Sequence, residues 1–142
     1  DWKDIAQSYL GTTTTGYPNM YQLVGLNVGL GHNSIIFMIE AQVDYILSCL
    51  KVLSENGADF IDVKPEAQDR FNVKVQEGFK NTVWTTGCTS WYQSAEGGNF
   101  ALWPFSTWKF WLETRKVKES DYDFGYAKPP LLDKKKKAAA TA

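Results

Sequence analysis

The sequence predicts a mixed α/β fold with two or three helices on a small sheet. Two observations carry this expectation. First, an unbroken apolar run, Met20 to Val24, leads into Gly25-Leu-Asn-Val-Gly-Leu-Gly-His-Asn-Ser34, which opens directly onto a long apolar helix. A glycine-rich turn between a strand and a helix brings bare backbone close to a ligand. The helix start then offers unpaired N–H groups to an electron-rich atom. Second, short β-like segments and capped helical stretches follow one another along the chain.

Each element has a local reason. Ser8 to Asn19 reads as a short strand and then a loop punctuated by Gly11, Gly16 and Pro18. The apolar character of Met20–Val24 suits a strand covered on both faces, as in a parallel sheet. Asn33 or Ser34 can cap the next helix, and Asn56-Gly57 can end it. Ile35, Ile39, Val43, Ile46, Leu50 and Leu53 are its expected buried stripe. Ile36, Phe37, Met38 and Leu47 make its first half apolar nearly all round, so its start is expected deep inside. Asp59–Val63 is a brief strand. Pro65 suits the first turn of a second helix running to about Gly78, with Phe71, Val75 and Phe79 inward. Thr82–Thr86 reads as a strand and Gly87–Asn99 as a loop. A third helix runs from about Ser106 to Lys116. After Asp121 the sequence turns irregular, and Lys134–Ala142 reads as a disordered basic tail.

Composition narrows the function classes. The chain has 142 residues, 44% hydrophobic and 22% charged, which suits one modest globular domain. A net charge of -1 gives no general basis for nucleic-acid binding. Glu40, Gln42, Asp44 and Lys51 interrupt the Ile35–Leu53 run, so no membrane partner is expected. Cys49 and Cys88 show no metal-ligand or disulfide spacing, which favours a reducing, cytoplasmic setting and no metal. The chain begins at Asp1 without a methionine, so a piece of a longer protein is expected.

The motifs leave alternatives open. Gly29-Leu-Gly-His-Asn-Ser34 is half of a dinucleotide-binding fingerprint. Its third glycine and the acidic residue about 20 positions on are absent. The turn reads either as structural or as cofactor-facing. His32 is the one histidine, and no serine or cysteine is paired with it by recognisable spacing. No catalytic set is assigned. Five of the six tryptophans lie between Trp84 and Trp111. Trp91 and Tyr92, among glycines and small polar residues, suit a stacking surface for a ligand. Trp108 and Trp111, on a helix, suit a core.

Four blocks in order resemble the C-terminal region of class B flavoprotein monooxygenases of the Baeyer–Villiger type. They are Tyr9-Leu-Gly…Gly16-Tyr-Pro-Asn19, Gly25 to Ile35 with its helix, Thr82-Val-Trp-Thr-Thr-Gly-Cys-Thr-Ser-Trp-Tyr92, and Asn99-Phe-Ala-Leu-Trp-Pro104. The resemblance covers about Tyr9 to Asp123. It implies an enzyme in which NADPH reduces FAD and one atom of O2 enters a ketone or similar small molecule. It also implies a fragment of a two-dinucleotide-domain flavoprotein, inactive alone, whose N-terminal dinucleotide-binding domains lie outside this chain. Residues 1–57 would end the FAD domain, 58–127 would form a helical and aromatic-loop segment, and 128–142 the tail. The resemblance places Asn27, Gly31, His32, Asn33 and Ser34 against FAD. It places Trp84 in a mobile segment over NADP, and Trp91 and Tyr92 toward substrate. Leu26 and Val28 depart from the family's usual Pro and Thr. The alternatives are a flavin monooxygenase oxidising nitrogen or sulfur, and a non-enzymatic aromatic binding module.

Overall fold

The structure, a computed structural model, describes residues 6–31, 33–80, 82–85, 90–94 and 98–127. The elements are α1 (Ile35–Glu55), β1 (Phe60–Val63), α2 (Pro65–Phe79), a 3-10 turn (Val83–Thr85), α3 (Thr107–Thr114), a second 3-10 turn (Glu119–Asp121) and β2 (Tyr122–Gly125). β1 and β2 pair antiparallel, with Phe60 opposite Gly125 and Val63 opposite Tyr122.

The helix boundaries follow from their caps. Ser34 occupies the N-cap position of α1 in an extended conformation, although its side chain makes no capping hydrogen bond. At its other end Asn56 donates from Nδ2 to the Val52 carbonyl (2.9 Å), and Gly57 takes a φ of +60°. Pro65 begins α2 at a position where its missing N–H costs nothing. The Ser106 hydroxyl caps α3 by accepting from the Lys109 amide at 3.2 Å.

α2 carries two parallel rows at four-residue spacing. Ala67, Phe71, Val75 and Phe79 form a buried apolar ridge. Beside it Gln68, Asn72 and Gln76 form an amide ridge that serves loop backbone: Gln68 accepts from the Thr15 amide (3.0 Å), and Asn72 donates to the Ser8 carbonyl (3.0 Å). The core continues through Trp103, which stacks on Phe71 at 6.2 Å and meets Phe110 edge-on at 5.3 Å.

Several elements differ from the sequence expectation. Met20–Val24 forms no strand. The chain turns there, Val24 takes a φ of +53°, and Leu23 and Val24 point outward. Gly25 explains the turn: a Cβ on it would lie 2.3 Å from the Gly11 carbonyl oxygen, so the two loops pass in close contact. Thr82–Thr86 is likewise not a strand. Thr82 caps the end of α2 through the Phe79 carbonyl, and a 3-10 turn follows, with Thr86 outside the described residues. Tyr122–Gly125, read as irregular, is a strand because β1, some sixty residues away, pairs with it. Among the described residues, the expected parallel sheet is reduced to one isolated bridge, Gly29 with Leu102. The Lys134–Ala142 tail lies outside the described residues.

α1 is rotated from its expected orientation. Met38, Ala41, Gln42, Tyr45 and Cys49 are buried, whereas Val43 and Leu50 from the expected stripe are exposed. Gln42 sets this. Its Nε2 donates to the Gly11 carbonyl (2.8 Å) and Thr12 Oγ1 (3.0 Å), and its Oε1 accepts from the Val24 amide (2.9 Å). Tyr45 adds a 2.7 Å bond to the Tyr122 hydroxyl. Both groups must face inward to be satisfied, so an aliphatic row, Ile36, Val43, Leu47 and Leu50, faces out with 40–59% exposure. The helix start is therefore not deep inside.

Two predictions follow from this arrangement. The aliphatic row is an association surface when nothing covers it. The isolated chain should show a concentration-dependent mass by light scattering, and a double Leu47→Lys, Leu50→Glu variant should be monomeric. A wild-type chain that stays monomeric at high concentration would contradict this. Burial also pushes the Cys49 thiol from its ordinary 9.0 up to about 12, partly offset by hydrogen bonds from Tyr122 and Tyr45. The folded chain keeps a proton that the unfolded chain releases, so the stabilisation is full below pH 9 and is lost as pH rises through about 9 to 12. At pH 8 Cys49 should resist iodoacetamide until denaturant is added, as read by peptide mass mapping. Rapid labelling of the folded chain would contradict it.

Candidate functional site

The glycine stretch folds against residues 98–103. Asn27 holds a left-handed conformation, φ +58°, and is 1% exposed. Asparagine tolerates that conformation better than most residues. Its Nδ2 donates to the Asn99 carbonyl (2.7 Å) and the Leu102 carbonyl (3.0 Å), and its backbone N–H reaches the Phe100 carbonyl (2.9 Å). Gly29 exchanges two bonds with this segment, donating to Ala101 and accepting from Trp103, each at 2.8 Å. Val28 is wholly buried against Gly11. Both amide hydrogens of Asn27 are therefore spent on holding the turn in place.

The helix start beyond it is open. Asn33 and Ser34 are exposed. Asn33 donates to Thr107 Oγ1 (3.1 Å) and accepts from the Ser34 amide (2.8 Å), tying the starts of α1 and α3 together. The first turn of α1 contains no acidic residue. No carboxylate there compensates its partial positive charge, which suits an electron-rich ligand edge. His32 lies outside the described residues.

The aromatic segment comes back to this turn. A Cβ on Gly31 would sit 2.8 Å from Trp84 Cη2, so the indole occupies the space that a side chain at 31 would need. Tyr92 meets Trp84 edge-on at 5.7 Å and Trp91 at 5.9 Å. Trp91 is 79% exposed, an open flat surface beside the turn. The structure therefore brings Gly31, Trp84, Trp91 and Tyr92 together. Trp108, expected in the core, is 59% exposed and stacks on Trp111 at 4.5 Å; Trp103 is the buried tryptophan instead. Helical position alone does not say which indole faces in.

Sequence reasoning missed three polar residues here. Gln93 donates from Nε2 to the Trp84 carbonyl at 2.9 Å. Asn99 accepts from the Ala101 and Leu102 amides with Oδ1, at 3.2 and 2.9 Å. Gln76 grips the Asn99 backbone at both ends, accepting at 3.1 Å and donating at 2.8 Å. The only signal for them in the sequence was that Asn99 opens one of the four blocks. A separate cleft of about 200 Å³, between Tyr9, Phe71 and α3, is lined by two ion pairs, Arg70 with Asp121 and Lys74 with Glu113, and by Lys118.

The two glycines separate two kinds of contact. Gly31→Ala meets the far end of a side chain, so it should displace the Trp84 indole at a cost under about 1 kcal/mol. Gly29→Ala meets the Ala101 carbonyl oxygen at 2.8 Å and should cost about 2 kcal/mol. Denaturant midpoints and near-ultraviolet dichroism test both. Equal costs with an unchanged tryptophan signal would contradict the packing described.

No family model matches the chain. It is 42% identical over 123 residues to a Baeyer–Villiger monooxygenase of Pseudomonas aeruginosa, which covers 85% of this chain and 23% of that protein. A Baeyer–Villiger monooxygenase of Streptomyces coelicolor is also 42% identical over 123 residues. Among solved structures, cyclohexanone monooxygenase from Rhodococcus bound to NADP+ superposes with a TM-score of 0.76 at 21% identity, over 89% of this chain and 24% of that one. A steroid monooxygenase bound to NADP gives 0.73 at 21%, over 86% of this chain and 24% of that one. These superpositions show a shared fold. The chain spans about a quarter of the length of the relatives it matches. Over 85% of its length the chain is thus homologous, at 42% identity, to a segment of Baeyer–Villiger monooxygenases, and it shares its fold with the corresponding part of solved flavoprotein monooxygenases.

Proposed function

We propose that this chain is the C-terminal part of an FAD- and NADPH-dependent monooxygenase that inserts one atom of O2 into a ketone or similar small organic substrate. On its own it is incomplete, and the dinucleotide-binding domains belong to the remainder of the protein. The observation that carries the reading is the seating of Trp84 over Gly31, beside an exposed helix start without acidic residues. That start is where the turn and the aromatic segment converge. A second support is that relatives named as FAD-binding monooxygenases align along the same stretch, one from Aspergillus terreus at 31% identity over 130 residues.

The residues divide the work as follows. FAD supplies the redox chemistry when bound. The α1 start at Asn33 and Ser34 would meet its electron-rich edge, where the amides of the first turn, from Ile35 on, would stabilise negative charge. Gly31 lets backbone approach closely. Asn27 holds the turn from behind, through its bonds to Asn99 and Leu102. Trp84 covers the nicotinamide side and excludes water, while Trp91 and Tyr92 offer apolar area to the substrate. His32 neighbours the helix start in sequence and is assigned with it. Cys49 is a free, buried thiol, which fits a reducing compartment, and we place the protein in the cytoplasm on that ground. Among the described residues, no helix is long and apolar enough to cross a membrane.

Two variants of the full-length protein test these roles. Trp84→Ala should spare flavin reduction by NADPH more than oxygen insertion, so that consumed NADPH appears as hydrogen peroxide. Lost thermal stability with unchanged coupling would show that the indole only fills space. Ile35 is the first helical residue of α1 and follows an extended Ser34, a setting that proline accepts, so Ile35→Pro removes one N–H of the helix start with little backbone change. It should lower the flavin midpoint potential by an amount equivalent to roughly 1 kcal/mol, on the order of 20 mV for two electrons. An unchanged potential in a folded, flavin-loaded variant would place this helix away from the flavin.

A further inference from the structure

We propose that Gln76 and Gln93 are positioning residues that join the glycine turn and the Trp84 ring into one mechanical unit, with Asn99 as the node between them. This rests on the reading that the α1 start and Trp84 face the cofactors. The contacts form a closed circuit. From the turn, the Asn27 side chain reaches the Asn99 carbonyl at 2.7 Å. From α2, Gln76 takes the same carbonyl at 2.8 Å and the Asn99 amide at 3.1 Å, fixing that peptide against a helix. Asn99 bridges antiparallel to Gln93, and Gln93 holds the Trp84 carbonyl at 2.9 Å. The Trp84 ring closes the circuit on Gly31, four residues beyond Asn27.

The node is costly in a telling way. Asn99 is 4% exposed, and its Nδ2 is buried with no hydrogen-bond partner. An unsatisfied buried donor is expensive, and an apolar residue would avoid the cost. Asparagine earns its place through Oδ1, which turns the chain by accepting the Ala101 and Leu102 amides and so presents the carbonyls that Asn27 needs. A circuit of this kind transmits displacement. If Trp84 leaves Gly31, the strain passes through Gln93 and Asn99 to the turn that carries the α1 start. Gln76 anchors the node to the one member of the circuit that is regular helix.

Hydrogen exchange on the full-length, FAD-loaded protein tests this, read on peptides spanning 25–31 and 82–94. Gln76→Leu removes both bonds to Asn99 without touching Trp84, and Gln93→Leu frees the Trp84 carbonyl without touching the turn. Each should speed exchange about tenfold in both peptides. The double variant should fall short of the product of the two effects, since the same circuit is cut twice. The flavin midpoint potential should move in both single variants, in the direction expected for Ile35→Pro. Should Gln76→Leu fail to fold, Gln76→Glu keeps the acceptor for the Asn99 amide and loses only the donor, and should show the same pattern more weakly. Faster exchange confined to the peptide beside each substitution, or strictly multiplicative effects, would overturn the inference. If Trp84→Ala leaves coupling intact, the cofactor reading falls and the exchange result still stands. If Trp84→Ala uncouples but exchange stays local, only the circuit falls.

Discussion

Backbone that is buried outside helix and sheet must still find hydrogen-bond partners, and this constraint shapes the molecule. Residues 8–14 and 27–28 are buried, yet among residues 6–31 the only pairings of β type are isolated bridges. Some of their N–H and C=O groups pair with other loop backbone, as Tyr9 does with Thr13 and Asn27 with Phe100, and side-chain amides pointing in from the helices meet others in and around these segments. Gln42 of α1 serves Gly11 and Val24, while Gln68, Asn72 and Gln76 of α2 serve Thr15, Ser8 and Asn99. Each such bond adds only about 1 kcal/mol when made, but leaving the group unpaired costs about 1–3 kcal/mol. The amides thus decide which face of each helix looks inward, and the apolar residues accommodate them.

The same constraint makes the candidate site precise. A turn built from Asn27, Gly29 and Gly31 has little side-chain bulk of its own to fix it. It is fixed from outside, by the carbonyls of 99–102 on one side and the Trp84 indole on the other. The α1 start is left open to solvent while everything behind it is packed. An electron-rich ligand arriving there would meet a preorganised set of amides, the condition under which helix-terminal electrostatics act most strongly.

A second polar centre supports the opposite side of the core. Tyr9 donates to Asp121 at 2.7 Å, and Asp121 also pairs with Arg70 at 2.7 Å. Tyr45 and Tyr122 share a 2.7 Å bond, with Thr13 3.2 Å from the Tyr122 hydroxyl. Burial pushes these phenols well above their ordinary range, so they stay neutral and hydrogen-bonding at any physiological pH. This network ties the first loop, α1, α2 and β2 into one body, against which the glycine turn is held.

Local chemistry was legible in the residues. The caps at Ser34, Asn56-Gly57, Pro65 and Ser106, the inward residues of α2, and the glycine stretch ahead of α1 each depend on a few neighbouring positions. The four ordered blocks were enough to point to the family. Tertiary structure alone decided the rest. β2 exists because β1 lies beside it, and Met20–Val24 turns because Gly25 must pass Gly11. α1 shows its aliphatic row to the outside because Gln42 and Tyr45 have partners only inside. The circuit through Gln76, Asn99 and Gln93 joins positions far apart in sequence, by bonds that no local pattern encodes. Sequence periodicity records which residues are apolar; which of them are covered depends on what the polar groups beside them require.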